Sequence, residues 1–94
     1  MNILYQIRLS EKHQPTGKTR HFRSGQELPR PIELRIAQYD GDPGYYLFYC
    51  DSLGGEMTDT YHDSIEEAFA QAEWEFAISK DEWTMICKSD LRKE

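Results

Sequence analysis

Cysteine is scarce in this chain: only Cys50 and Cys87 occur, far apart and without CxxC spacing. That excludes the disulfide framework that staples small secreted domains and predicts two free thiols in a reducing compartment. Long apolar runs are missing as well. No stretch approaches the roughly 20 residues needed to cross a bilayer, so no membrane association is expected. Residues 1–9 alternate apolar and polar side chains, whereas an export signal needs a basic start and an unbroken apolar segment. The expectation is a cytoplasmic protein of bacterial type.

Chemical signatures are equally sparse. No HExxH, paired CxxC, P-loop or GxSxG is present, and His13, His21 and His62 share no ligand spacing with either cysteine. Neither a metal nor a cofactor is therefore expected. His62-Asp63 has the residue types of a proton-transfer pair, but neighbours in a strand point to opposite faces, so a turn or capping role is the reading adopted. With no nucleophile and base to name, the chain is expected to be non-catalytic. Internal repeats and low-complexity segments are absent too.

What is present describes one folded domain over residues 1–94. The chain is 38% hydrophobic and 30% charged, which places it with globular proteins and away from disordered ones. Residues 2–9 alternate with the period of a strand that buries one face. Residues 10–31 are polar and basic, punctuated by Pro15, Gly17, Gly25, Pro29 and Pro31, and read as a long basic loop. A loop of that length is functional, partly disordered, or hides a short strand near residues 18–23.

Residues 32–39 alternate again, and Asp40-Gly41-Asp42-Pro43-Gly44 supplies a hairpin turn. Residues 45–50 are apolar or aromatic throughout, as suits a strand covered on both faces. Asp51-Ser52-Leu53-Gly54-Gly55 turns the chain into a further strand at residues 56–61. Ser64 and Glu67 have the spacing of a capping box, and Ile65, Ala68, Phe69, Ala72 and Phe76 then form one helical stripe. Ser79-Lys80-Asp81-Glu82 repeats the box and predicts a short helical turn carrying Trp83, followed by a frayed tail at residues 88–94. The fold class that results is α+β: an antiparallel meander of three to four strands with one main helix packed on one face.

Charge is segregated along the chain. Residues 1–35 carry seven bases against three acids, a net of +4, while residues 36–94 carry fourteen acids against four bases, a net of −10. On a helical wheel Trp74 lies about 180° from Ile65, among Glu67, Ala70, Gln71 and Ile78. A tryptophan ringed by carboxylates on an outward face is the pattern of an interface anchor. The expected partner-binding set is Trp74, Ile78, Glu66, Glu67, Gln71 and Glu73, within an acidic run that also includes Asp59, Asp63 and Glu75. The plainer alternative is a solvated acidic face with Trp74 covered by another segment.

The expected partner is a basic protein or a second copy, so the chain is a monomer or a homodimer. Lys18, Arg20 and Arg23 are the candidate nucleic-acid contacts, but the net charge of −6 has the wrong sign for the electrostatics that dominate such binding. The aromatic run Tyr45-Tyr46-Leu47-Phe48-Tyr49 resembles a base-stacking platform, yet it sits between Asp42 and Asp51, which favours a core role.

Residues 44–51, residues 58–64 and the helix through Trp74 to Trp83 resemble a group of small uncharacterised bacterial proteins, some of them similar to immunity proteins of toxin systems. The resemblance covers residues 32–83. It implies a compact meander-plus-helix domain with a protein partner, and it carries over no catalytic residue.

Overall fold

The computed structural model describes residues 2–17 and 21–86. Strands β1 (Asn2–Arg8), β4 (Glu33–Gln38), β5 (Tyr45–Cys50), β6 (Glu56–His62) and β7 (Thr84–Met85) form one antiparallel sheet in the order β6-β5-β4-β1-β7. A separate two-residue ribbon joins β2 (Phe22–Arg23) to β3 (Gln26–Glu27). One helix, α1 (Ile65–Phe76), and a short 3-10 turn, Lys80–Glu82, complete the elements of the described residues. The α+β meander with one helix is thus the architecture, with five strands in the sheet. The extra strand is β7, which pairs with Tyr5 and Gln6 of β1 and is too short to show a period.

The pleat decides what lies on each face. Tyr49, Leu47 and Tyr45 of β5 pair with Thr58, Thr60 and His62 of β6, and with Leu34 and Ile36 of β4, on the face under α1. There Leu34, Ile36, Leu47, Tyr49, Ala68, Phe69, Ala72, Phe76, Ile78 and Trp83 form the main core. Ala37, Phe48 and Cys50 form a smaller cluster on the opposite face with Ile3 and Tyr46. Cys50 is a free, buried thiol whose burial pushes its pKa up. Cys87 and the tail at residues 88–94 lie outside the described residues.

Local chemistry sets the turns. Asp42 receives Gly44 N–H at 2.9 Å, and Asp51 Oδ1 receives the N–H groups of Leu53 and Gly55 at 3.0 and 2.8 Å. Gly44 lies against the Tyr61 ring, so a Cβ there would force that half-exposed side chain to move. Ser64 caps α1 by accepting Glu67 N–H at 3.2 Å, but the returning carboxylate takes Asp63 N–H at 3.1 Å, one residue before the cap. At the other end Ala77 adopts φ 58° and ψ 38°, a left-handed cap that a glycine would occupy without strain.

The long basic segment is a strap tied across the end of α1. Thr16 donates its N–H to Glu75 O at 2.8 Å and its hydroxyl to Trp74 O at 2.7 Å, satisfying helix carbonyls that have no partner within the helix. Ser24 and Gly25, with φ of 55° and 82°, make the two-residue turn between β2 and β3. His13 is buried; its Nδ1 accepts Ser10 N–H at 3.0 Å, leaving Nε2 to donate to Glu82 Oε1 at 2.7 Å. Arg30 donates to the carbonyls of Ser10 and His13.

Glu82 gathers three bonds: His13 at 2.7 Å, Lys12 at 3.0 Å and Ser79 N–H at 2.8 Å. The His13 bond first, then Ser79 N–H and Lys12, lower its pKa from 4.5 to about 2. A depressed carboxylate stabilises the fold above its unfolded pKa and loses that contribution as pH falls through the folded value. Between about pH 4.5 and 2 the wild-type melting temperature should therefore fall more steeply than that of Glu82→Gln. Parallel thermal melts of the two proteins across that range check this, and coincident slopes would show that Glu82 has no such role.

Candidate protein-binding surface

The strap and helix divide the acidic residues into two kinds. Glu75 is buried. Its Oε1 accepts Tyr49 OH at 2.7 Å and Gln71 Nε2 at 3.2 Å, and its Oε2 meets His21 Nε2 at 2.8 Å. Burial, followed by the bond to Glu75, drives the Tyr49 hydroxyl far above its ordinary pKa, so it donates at any physiological pH. Glu75 therefore belongs to an internal network joining α1, β5 and the strap, and it drops out of the expected acidic surface. Its wheel position beside Ala68 and Ala72 carried that signal, whereas His21 and Tyr49 come from distant segments that the wheel ignores.

Ile78 is the second correction. It is completely buried in the main core, so it makes no surface with Trp74. The wheel assumed continued helical rotation, but the left-handed cap at Ala77 swings the chain inward one residue earlier.

Of the remaining members, Trp74, Glu67 and Gln71 share one groove, while Glu66 and Glu73 are exposed on the same helix. Trp74 is 43% exposed, Glu67 is exposed and Gln71 is partly covered. Trp74, Ala70, Gln71 and Glu67 line a shallow groove of about 540 Å³ together with His62, the last residue of β6. The sequence reading gave His62 a turn or capping role; its ring instead lies 2.7 Å from Thr60 Oγ1 at the strand end and walls the groove. Burial lowers the His62 pKa, so at neutral pH it contributes no positive charge there. No lysine or arginine occurs anywhere in residues 36–79, against ten acids. The groove thus combines an aromatic floor with the Glu67 carboxylate in its wall, within a stretch of sequence rich in acids.

The other candidates are placed differently. Lys18 and Arg20 lie outside the described residues, and Arg23 has its backbone in β2. Lys12 and Arg30 of the strap are engaged with Glu82 and backbone carbonyls. Of the aromatic run, Leu47 and Tyr49 are buried under α1 and Phe48 is 3% exposed, which leaves no row of rings free for stacking. Among the described residues no group of three or more His, Cys, Asp or Glu side chains is arranged to hold a metal, and no helix is long and apolar enough to cross a membrane. Comparison with family models, with curated proteins and with solved structures yields no match.

Proposed function

We propose that this chain is a non-catalytic protein-binding module that receives a basic protein against the outer flank of α1. The observation that carries this reading is Trp74, 43% exposed in a groove that Glu67 also lines, on a helix whose Glu66 and Glu73 are exposed and within a stretch of sequence, residues 36–79, that contains no lysine or arginine. Aromatic anchors in pockets supply most of the energy of protein interfaces, while a one-signed rim accelerates encounter with the opposite charge. In its concrete form the reading is immunity-like: the acidic flank would occlude the cationic cleft of a toxin or nuclease. The nucleic-acid alternative draws no support from Lys12 and Arg30 of the strap, which are bound within the protein.

Association kinetics test the reading. With the basic partner recovered by affinity capture, association should be fast at low salt and slow steeply with ionic strength, while dissociation changes much less. Reversing Glu66, Glu67 and Glu73 to lysine should slow association about tenfold or more with the fold intact, because exposed charges add little stability. Reversing Lys18, Arg20 and Arg23 to glutamate should leave the rate unchanged or slightly raised. Loss of binding in the second variant alone would overturn the proposal.

A further inference from the structure

The sheet face away from α1 carries its own set of exposed rings. Tyr46 of β5 is flanked by Tyr61, its partner on β6, and by Tyr39, which follows β4. The rings of Tyr61 and Tyr39 stand 5.0 and 5.2 Å from that of Tyr46, at interplanar angles of 69° and 84°, and Phe48 stacks on Tyr46 at 5.9 Å. Tyr39 is 41% and Tyr61 49% exposed. Asp42, in the turn between β4 and β5, joins the set by accepting Tyr61 OH at 3.3 Å, and with Tyr39, Asp40 and Pro43 it lines a hollow of about 530 Å³. Asp59 is exposed on the same face, across from Phe48. Burial first, then Asp42, raises the pKa of the Tyr46 and Tyr61 hydroxyls, so the rings stay neutral and the two carboxylates carry the charge. Among the described residues neither carboxylate has a salt bridge, while Arg8 and Arg35 of that face both turn to Glu33, at 3.6 and 2.6 Å.

We propose that Tyr39, Tyr46 and Tyr61, with Asp42 and Asp59 as counter-ions, form a receptor for an arginine side chain of another protein. Ring faces are negative, so a cation laid against them is attracted, and a carboxylate within reach adds to that attraction. Arginine fits better than lysine. Its planar guanidinium stacks on a tyrosine and still points a fork of donors at a carboxylate, whereas the ammonium is a compact, strongly hydrated charge. The charge of the patch also decides against nucleic acid, whose phosphates two carboxylates would repel. A second copy is the weaker occupant, because its Arg8, Arg30 and Arg35 are each engaged within their own chain. The receptor goes beyond the Trp74 reading. It lies on the other face of the sheet from α1, so either surface can fail while the other stands.

The probes are capped glycine peptides with one central arginine, lysine or citrulline, citrulline being the neutral counterpart of arginine. Each is titrated into the full chain to roughly tens of millimolar, where a single exposed cation–ring contact is measurable, and followed by NMR of the tyrosine ring protons. The arginine peptide should shift the Tyr39, Tyr46 and Tyr61 signals in a saturable way, the lysine peptide should bind more weakly, and the citrulline peptide should leave them unmoved. Tyr39→Leu and Tyr61→Leu, which remove a ring at an exposed position, should each weaken the arginine peptide about two- to fivefold. Asp59→Asn should weaken it as well, and added salt should do the same. Trp74→Ala should change nothing here, which separates this receptor from the groove on α1. Equal shifts with citrulline, binding indifferent to both tyrosines and to Asp59, or no saturable shift with arginine would overturn the proposal. So would a dimer, formed without peptide, in which Tyr39 and Tyr61 become covered.

Discussion

Replacing Phe69 by alanine should cost about 3–5 kcal/mol of stability, whereas Trp74→Ala on the same helix should cost about 1 kcal/mol or less. Phe69 is 6% exposed and meets Tyr5 and Trp83 edge-on, at ring separations of 5.0 and 5.6 Å, beneath Lys80. Removing it strips a core side chain from three segments at once and leaves a cavity that they cannot close. Trp74 has its side chain half in solvent, and the hydrogen bond that Thr16 makes at that position goes to its backbone carbonyl, which alanine retains. Urea or guanidinium unfolding of the two variants checks the contrast. Equal losses would mean that Trp74 is a core residue and not an anchor.

Removal of the Glu75 carboxylate should be comparably damaging. Glu75→Ala leaves Tyr49 OH and the Gln71 amide without their acceptor and releases His21, with an expected loss of about 3–5 kcal/mol from donors left unsatisfied at about 1–3 kcal/mol each. Glu75→Gln keeps an oxygen for Tyr49 and offers an amide to His21, so its loss should be about 1–2 kcal/mol. Chemical denaturation of both variants measures the difference. Since His21 comes from the strap, Glu75→Ala should also raise proteolytic cleavage within residues 14–30 more than Glu75→Gln does. Equal stability of the two variants would show that volume, not hydrogen bonding, is what position 75 supplies.

The parts of the fold that follow local rules were legible. The Ser64 cap, the Ile65-Phe69-Phe76 stripe and the two Asp-Gly turns each declare themselves within a few residues, and each lies where the spacing predicts. The misplaced features all depend on partners far along the chain or on a single backbone angle. Ile78 reads as outward until Ala77 turns left-handed. Glu75 has the wheel position of an inward residue beside Ala68 and Ala72, but the partners that satisfy its carboxylate, His21 and Tyr49, come from distant segments. The ribbon of β2 and β3 hangs on Ser24-Gly25, a two-residue signal inside a polar segment, and its closing bond is Leu28 N–H to His21 O at 2.7 Å. The strap as a whole was invisible as a clamp, since its bonds run from Thr16, His13 and Arg30 to carbonyls and carboxylates with no sequence periodicity.

For the candidate surface, sequence supplied the helix residues and the charge but not the strand. Trp74, Gln71 and Glu67 share a wheel face, which a 3.6-residue period reveals. That His62 of β6 completes their groove depends on where the sheet places that strand relative to α1, which sequence spacing does not encode.

The central claim is that Trp74 in its acidic setting is a binding anchor without being a structural one. The most direct test is parallel affinity capture from the native host with the wild-type chain and Trp74→Ala, each first shown to melt within a few degrees of the other. The account predicts a basic protein retained by the wild type and lost by the variant, with capture by the wild type weakening as salt rises. Equal retention by both chains, or recovery of RNA or DNA as the retained ligand, would contradict it.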